Sequence, residues 1–178
     1  MHPAGKRAGF GVAKCTMGFG RKASFSWKAD RPDVPPDDLR KRSDVIPTPE
    51  DQLAIMNLLA RYCLSLDEDD VEGWVSLFTT DASYEVYGRS FEGREALRGM
   101  AKAAPGGLHL GGVPVVDMVD VDRARTVQDL LFIDRDTGES RSAVYHDELV
   151  RTPSGWRIAS RRCRFIVPGG LSDRPTKK

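Results

Sequence analysis

The chain has 178 residues, of which 40% are hydrophobic, and a formal net charge of +1. This length predicts one domain plus a tail, with enough apolar residues for a buried core. The small net charge gives no support to nucleic-acid or membrane binding, and no segment reaches the ~18 consecutive apolar residues of a membrane-spanning helix. The three cysteines, Cys15, Cys63 and Cys163, lie far apart and form no CxxC pair. That spacing argues against a disulfide framework or a zinc ribbon, and it favours a reducing compartment such as the cytoplasm.

The first 44 residues differ in composition from the rest, because they contain ten Lys or Arg and only five Asp or Glu. They lack the apolar core of a secretory signal and have little amphipathic periodicity. We therefore interpret residues 1–44 as a basic, disordered extension that ends in the linker RPDVPPDD. A start codon placed too early, a targeting address and a basic contact arm are the alternatives. The folded domain is then expected at 45–168, with a C-terminal tail at 169–178.

The first helix is predicted from Thr48, which suits the cap position, and Pro49, which suits the first helical position. Apolar residues then recur at helical spacing for about five turns. The helix runs straight into Asp67 in the stretch RYCLSLDEDD. A carboxylate is unfavourable at the negative end of a helix dipole. Asp69 or Asp70 can cap the next helix, but Asp67 is left without an obvious local role.

The next elements are two helices with a strand between them. The second helix is predicted from Val71 to about Phe78. Alternation of Ala82, Tyr84 and Val86 then indicates a strand, and GREALRGMAKAA indicates a third helix that ends before the Pro–Gly–Gly at 105–107.

Four long alternating segments follow: LHLGGVPVVDMVDV, ARTVQDLLFID, SAVYHDELVRT and GWRIASRRCRFIV. Turn sequences separate them, which is typical of an antiparallel sheet. Three N-terminal helices followed by such a sheet predict the α+β class. A strongly bent sheet around a helix leaves a pocket at its open end.

Side-chain parity predicts the inner face of the last two strands. On the last strand, Ala159, Arg161, Cys163 and Phe165 share the more apolar face, so Arg161 is expected inside. An unpaired guanidinium there is costly, which implies a partner or a ligand. Asp147 on the preceding strand shares a face with Tyr145 and is the expected structural partner, so the ion pair and the ligand contact remain alternatives.

A histidine and an acid are the candidates for catalysis. His109 begins the strand after the third helix, and a histidine held by a carboxylate is a competent general base. Asp67 is the available acid, and Tyr62 lies five residues earlier on the same helix. A structural aspartate and a structural histidine are the alternative interpretation. No metal-ligand spacing, nucleophile elbow or phosphate loop is present, so no metal or cofactor is expected.

Four stretches of the chain, AIMNLLARYCLSLDEDDVEGWVSLFTTDASYEV, FEGREALRG, LHLGG and VYHDELVRTPSGWRIASRRCRF, resemble in their order the SnoaL-like branch of the nuclear-transport-factor-2-like superfamily. The resemblance covers about residues 48–168. It implies a cone-shaped α+β barrel in which a strongly bent antiparallel sheet encloses the first helix and a pocket.

The resemblance also implies site residues. In scytalone dehydratase, hexachlorocyclohexane dehydrochlorinase and bile-acid 7α-dehydratase, which eliminate water or HCl without a cofactor, the catalytic acid and histidine match Asp67 and His109. A tyrosine of the bile-acid enzyme matches Tyr62, and two dehydrochlorinase residues match Arg161 and Tyr145. The second histidine of scytalone dehydratase has no counterpart here, where only Gln128 or Asp129 lies nearby. The complete set of expected substrate-binding residues is Tyr145, Arg161, Asp147, Cys163 and Tyr84.

The sequence thus favours a lyase, dehydratase-like, or an isomerase acting on a small, largely apolar hydroxylated or carbonyl compound. The alternative is a non-catalytic binding or assembly module, such as the small subunit of a ring-hydroxylating dioxygenase. In either case we expect a homodimer or homotrimer with a small-molecule ligand.

Overall fold

The computed structural model describes residues 45–176. The predictions for residues 1–44 fall outside this range. Residues 45–176 form three helices and eight strands. In chain order they are α1 Pro49–Asp67, α2 Val71–Ser76, β1 Phe78–Val86, β2 Arg89–Glu92, α3 Gly93–Ala103, β3 Gly107–Gly111, β4 Val115–Met118, β5 Arg123–Asp134, β6 Ser140–Thr152, β7 Gly155–Val167 and β8 Gly170–Ser172.

The strands form one open sheet in the order β2-β1-β7-β6-β5-β3, with β4 on β5 and β8 on β7. The predicted α+β class is confirmed. The sheet is mixed, however, because β1 runs parallel to β7 while the other pairings are antiparallel. The expected antiparallel pairing is therefore confirmed for every pair of strands except β1 and β7. Strand β8, which adds to the edge of β7, lies in the segment that the sequence assigns to the C-terminal tail.

The helix starts agree with the sequence. The hydroxyl of Thr48 accepts a hydrogen bond from the backbone N–H of Asp51 at 3.1 Å, and Asp70 accepts one from Gly73 at 2.9 Å. Helix α2 is shorter than predicted, because it ends at Ser76 and Phe78 already belongs to β1. Phe78 is fully buried in the core and pairs with Ile158 across the parallel ladder. It is therefore a buried strand residue rather than a buried helix residue.

The inner face of β7 changes parity within the strand. Leu149 of β6 pairs with Ile158, whereas Glu148 pairs with Ser160, so Ala159 is an extra residue in the ladder. Such a bulge moves the following side chains to the opposite parity. Trp156 and Ile158 point inward before the bulge, and Arg161, Cys163 and Phe165 do so after it, all of them buried. The inward assignment of Ala159 is therefore wrong, whereas that of the other three residues is confirmed.

The core lies between α1, α2 and the inner face of the sheet. Its centre is an aromatic cluster in which Trp74 contacts Tyr62 and Phe78, with ring centroids 5.6 and 4.7 Å apart. Within residues 45–176, no helix is long and apolar enough to cross a lipid bilayer. Tyr62 and Trp74 of this cluster also line a cavity beside the core.

Candidate active site

A cavity of about 540 Å³ lies between α1, α3 and the inner face of the sheet. This volume is within the range of small-molecule sites. Its wall is mostly apolar, with Trp74, Phe91, Met100, Leu130, Phe132 and Phe165 among its members. The polar side chains that line it are Tyr62, Tyr84, Tyr87, Tyr145, Cys163, His109, Arg89 and Arg141. No Asp or Glu in the described part of the chain contributes to the wall.

Asp67 and His109 form a direct pair at one side of the cavity. Nδ1 of His109 lies 2.7 Å from Oδ1 of Asp67. The backbone N–H of His109 also donates to both carboxylate oxygens, at 3.0 and 3.1 Å. An ionised carboxylate only accepts hydrogen bonds, so Nδ1 carries the proton in this arrangement. The other ring nitrogen, Nε2, is then the one that can accept a proton from a ligand. The two residues predicted to meet are thus brought together.

The position of Asp67 at the end of α1 is stabilised by Arg135. Nη2 of Arg135 donates to the backbone carbonyl of Asp67 at 3.0 Å, and Nη1 lies 3.5 Å from Asp69. A cation at the carbonyl end of a helix offsets the negative end of the dipole. The carboxylate of Asp67 points toward β3, where it accepts hydrogen bonds from the backbone and the ring of His109.

Gly107 allows β3 to bring His109 close to β5. A Cβ atom at residue 107 would lie 2.3 Å from the ring of Phe132 and 2.4 Å from the carbonyl oxygen of Ile133. No other residue type fits there without moving the backbone. Phe132 pairs with His109 across the ladder, and the two rings are 4.7 Å apart. Packing on Phe132 thus fixes one side of the imidazole.

Three tyrosines form the polar end of the cavity. The hydroxyls of Tyr62 and Tyr84 are 3.0 Å apart and share one hydrogen bond, and the ring of Tyr62 meets Tyr145 edge-on at 5.6 Å. Burial raises the pKa of all three hydroxyls, and it raises those of Tyr84 and Tyr145 well above the usual value. The hydroxyls therefore keep their protons at neutral pH and remain hydrogen-bond donors.

Arg161 lies behind the tyrosines rather than in the cavity wall. Its guanidinium carbon is 3.9 Å from the ring centroid of Tyr62 and 4.1 Å from that of Tyr145. It forms two 2.7 Å hydrogen bonds with Asp147, and both side chains are fully buried. Burial by itself would lower the pKa of Arg161, but Asp147 and Tyr62 raise it well above normal. The predicted Asp147–Arg161 ion pair is therefore confirmed.

The remaining expected residues divide between the cavity and its surroundings. Cys163 lines the cavity, and burial raises the pKa of its thiol to about 12, so it is a neutral contact. Asp147 does not line the cavity; it also accepts a hydrogen bond from Thr126 at 3.0 Å. Gln128 donates to the carbonyl of Gly112 at 2.7 Å and supports the connection between β3 and β4.

Within residues 45–176, no three His, Cys, Asp or Glu side chains are arranged to hold a metal ion.

Two groups of cavity residues were missed by the sequence reasoning. Arg141 lies on β6 with the same inward parity as Ala143 and Tyr145, so extending the alternation by four residues would have found it. Phe132 could have been found by the same alternation, because it lies two residues after the inward-facing Leu130 on β5. Arg89 and Phe91 on β2 carried no comparable signal, because a four-residue strand is too short to establish a period.

The chain matches the SnoaL-like domain family over residues 47–162. A Mycobacterium tuberculosis protein of unknown function is 34% identical, with a TM-score of 0.59, over 64% of this chain and 70% of that chain. The β subunit of a putative aromatic-ring-hydroxylating dioxygenase from Novosphingobium aromaticivorans is 25% identical, with a TM-score of 0.57, over 64% and 88%.

A putative scytalone dehydratase from Novosphingobium aromaticivorans is 22% identical, with a TM-score of 0.60, over 70% of this chain and 88% of that chain. At that identity the likeness concerns the fold alone. No curated protein matches the chain. The family match covers most of the described residues, including Asp67, His109 and the three tyrosines. The chain therefore belongs to the SnoaL-like domain family.

Proposed function

We propose that this protein is a lyase or isomerase that works without a cofactor on a small, largely apolar hydroxylated or carbonyl compound. The observation that carries the proposal is the Asp67–His109 pair beside an apolar cavity of about 540 Å³. Nδ1 of His109 is hydrogen-bonded to Asp67, so Nε2 is the ring nitrogen available to a ligand in the cavity. His109 would be the general base, and Asp67 would orient its ring and stabilise the imidazolium.

The chemistry begins with the loss of a proton from the carbon next to a carbonyl group. Nε2 of His109 takes the proton, and the electron pair of the C–H bond moves toward the carbonyl oxygen. In an elimination, the electron pair then forms the carbon–carbon double bond while the β-hydroxyl leaves with the proton returned by the imidazolium. In an isomerisation, the same proton returns to a different carbon. Both reactions need a base and a donor to the developing oxyanion.

The tyrosines would supply that donor. Tyr62 and Tyr84 share one hydrogen bond, and Tyr145 adds a third hydroxyl in the same wall. Their raised pKa values keep these protons in place. Donors fixed before the reaction stabilise charge at little reorganisation cost. We assign Tyr62 to catalysis, and Tyr84, Tyr145 and Cys163 to substrate contact.

Arg161 and Asp147 would support this function indirectly. The positive charge of Arg161 lies against the faces of Tyr62 and Tyr145, where it favours negative charge near their hydroxyls. Asp147 holds the guanidinium in that position through its two hydrogen bonds. In this proposal the pair positions the tyrosines, rather than contacting the substrate as the sequence suggested.

The experiment that tests the proposal measures proton exchange. β-Hydroxy ketones and unsaturated ketones are incubated with the protein in D₂O, and deuterium entry at the carbon next to the carbonyl is followed by NMR. We expect Asp67→Asn and His109→Gln to lower the exchange rate by about 10²–10⁴. His146→Gln is the matched control, since His146 lies on the outer face of the sheet, and it should exchange normally. Full exchange in both Asp67→Asn and His109→Gln would refute the mechanism.

A second candidate is a non-catalytic assembly module, and the 25% identity to a dioxygenase β subunit favours it. Gel filtration with and without a candidate large subunit separates the two functions. An enzyme should elute as a self-contained homodimer or homotrimer and keep its exchange activity alone. Co-elution with the large subunit, together with no exchange by the isolated chain, would support the assembly module instead.

A further inference from the structure

Two arginines, Arg89 and Arg141, are the charged side chains in a cavity wall that contains no Asp or Glu of the described chain. Arg89 is the first residue of β2, and Arg141 is the second residue of β6. Arg141 also borders a neighbouring surface depression together with Ile166 and Pro175, and Arg89 is exposed. Both guanidinium groups therefore lie at the rim of the cavity.

Neither arginine forms a salt bridge with a carboxylate within residues 45–176. The guanidinium of Arg89 lies 5.3 Å from the ring centroid of Phe91, which is a contact with an aromatic face. Arg141 interacts electrostatically with Asp134, but Oδ1 of Asp134 already accepts the backbone N–H groups of Asp136 and Thr137 at 3.0 and 2.9 Å. No hydrogen bond joins the Arg141 and Asp134 side chains in the described structure.

Several other arginines of the domain are paired with a carboxylate. Arg98 binds Glu72 at 2.6 Å, Arg162 binds Asp173 at 3.0 Å, and Arg161 binds Asp147 at 2.7 Å. An arginine beside apolar surface with no carboxylate bonded to it offers a planar set of donors to an anion. Arg61, Arg94, Arg157 and Arg174 also form no salt bridge in the described structure, but none of them lines the cavity. Arg89 and Arg141 are thus the arginines that combine a guanidinium outside any salt bridge with a place in the cavity wall.

Arg141 is aligned with the proposed base across the sheet. His109 on β3 pairs with Phe132 on β5, and Phe132 pairs with Arg141 on β6. All three side chains line the cavity. Two strand spacings separate the Cα atoms of His109 and Arg141, which is about 10 Å. A single ligand could thus place an anionic group at Arg141 and its reacting carbon at His109, about 10 Å apart.

We infer that the natural ligand is an apolar carbonyl or hydroxyl compound that carries a carboxylate, and that Arg141 binds this carboxylate at the cavity rim, where Arg89 adds a second positive charge. The inference rests on the proposed function for the reacting end of the molecule. The contact with the anion is independent of the chemical step. Arg141 is therefore a specificity-determining residue, and the preference for an anion is measurable by binding alone.

The test compares two probes of similar shape, 2-naphthoate and 2-naphthamide, by two-dimensional NMR titration of the full-length protein at neutral pH. We expect 2-naphthoate to bind about tenfold or more tightly than the amide, because hydrogen bonds to charged groups are the stronger ones. The shifted resonances should include those of His109 and Phe132. Arg141→Gln should lose most of the preference, and Arg141→Lys should keep part of it.

The controls identify the source of the preference. Arg123→Gln removes a surface arginine that bonds to Asp120 at 2.7 Å and lies outside the cavity, so it should keep the full preference. His109→Gln should also keep it, because the imidazole is not the proposed anion contact. Equal affinity for both probes, retention of the preference in the Arg89→Gln/Arg141→Gln double variant, or no binding of 2-naphthoate at millimolar concentration would each overturn the inference.

The inference and the proposed function fail separately. If the carboxylate preference is absent while Asp67→Asn and His109→Gln abolish deuterium exchange, the enzyme proposal stands and the substrate is neutral. If the preference depends on Arg141 but no substrate exchanges, the cavity binds carboxylates without performing the proposed chemistry.

Discussion

Asp67 binds His109 through both the ring and the backbone. The carboxylate at the end of α1 accepts a hydrogen bond from ring Nδ1 at 2.7 Å, and its two oxygens accept the backbone N–H at 3.0 and 3.1 Å. The two residues are 42 positions apart in the chain. One side chain therefore serves both the attachment of β3 to α1 and the orientation of the proposed base. These two roles have different consequences on substitution.

Asp67→Asn and Asp67→Leu should separate the two roles. Asparagine keeps an oxygen that accepts the backbone N–H, so we expect a small change in the free energy of unfolding and a changed ring tautomer of His109. Leucine accepts nothing and leaves the part-buried N–H groups without a partner, at a cost of about 1–3 kcal/mol. Urea unfolding measures the first quantity, and the ¹⁵N chemical shifts of the imidazole report the second.

The control for this comparison is Glu68→Gln, which changes the next acid in the chain without touching His109. It should leave both measurements unchanged. If Asp67→Leu were as stable as the native protein, the backbone contact would not be a structural support.

Arg161 and Asp147 should show strong energetic coupling. Both side chains are fully buried, so removing one charge leaves the other without compensation. Arg161→Met or Asp147→Leu alone should destabilise the protein by about 3–5 kcal/mol. The double variant should lose much less than the sum of the two, because neither charge then remains. A double-mutant cycle from denaturant unfolding gives the coupling energy.

Arg162→Met is the matched control for this cycle, since the next residue of β7 points outward and its ion pairs are exposed. Its effect should be within about 1 kcal/mol. Strictly additive effects of the Arg161 and Asp147 substitutions would contradict the coupling.

His146 should make the protein less stable at acid pH. Burial and the nearby Arg164 and Arg162 lower the pKa of His146, with an opposing effect from Asp147. The unfolded chain then binds a proton more readily than the folded one as the pH falls below about 6.5. This contribution to stability is complete above that pH and is lost as the pH falls toward the lowered folded value.

The comparison is between the native protein and His146→Gln. The native protein should lose stability between pH 8 and pH 5 by more than His146→Gln does, as measured by urea unfolding at each pH. His109→Gln is unsuitable as a control because that ring belongs to the proposed site. Identical pH profiles for the native protein and His146→Gln would show that His146 is not responsible.

The three cavity tyrosines should resist ionisation in strong alkali. Burial raises the pKa of Tyr62, Tyr84 and Tyr145 in the folded protein, so their protonated form stabilises the fold fully below the unfolded value of about 10. Above that pH the unfolded state loses these protons first, and stability declines as the pH rises. The phenolate absorbance of these three residues should therefore appear together with the loss of far-ultraviolet circular dichroism. Ionisation of all four tyrosines while the fold persists would contradict this.

Much of the fold follows from local patterns, and the exceptions have physical causes. The helix caps at Thr48 and Asp70 and the long strands β5, β6 and β7 were predictable because side-chain spacing and turn chemistry are local. The parallel β1–β7 pairing was not, because it joins residues about 80 positions apart and no local signal encodes it. The inward position of Ile158 also escaped prediction, since a bulge changes parity without a distinctive residue.

The candidate site was predicted unevenly for similar reasons. Asp67 was noticeable because it conflicted with the helix dipole, and that conflict is resolved by Arg135 and His109. The pairing of Arg161 with Asp147 followed from strand parity alone. That Arg161 lies behind the tyrosine rings, out of the cavity, depends on how two aromatic side chains pack, and the sequence holds no simple record of such packing.

The parallel pairing of β1 with β7 also constrains how the chain is assembled during synthesis. Strands β5 and β6 are joined by a short turn and can pair as soon as both have left the ribosome. Strand β1 lies between β2 and β7 in the sheet, so α1, α2 and β1 have to wait for residues near Arg162 before they gain their main sheet partner. Long-range pairing of this kind is slow, and the aromatic residues of α1 and β1 remain exposed in the meantime. A chain that stops before β7 would thus leave the apolar side chains of its N-terminal half without their sheet partner.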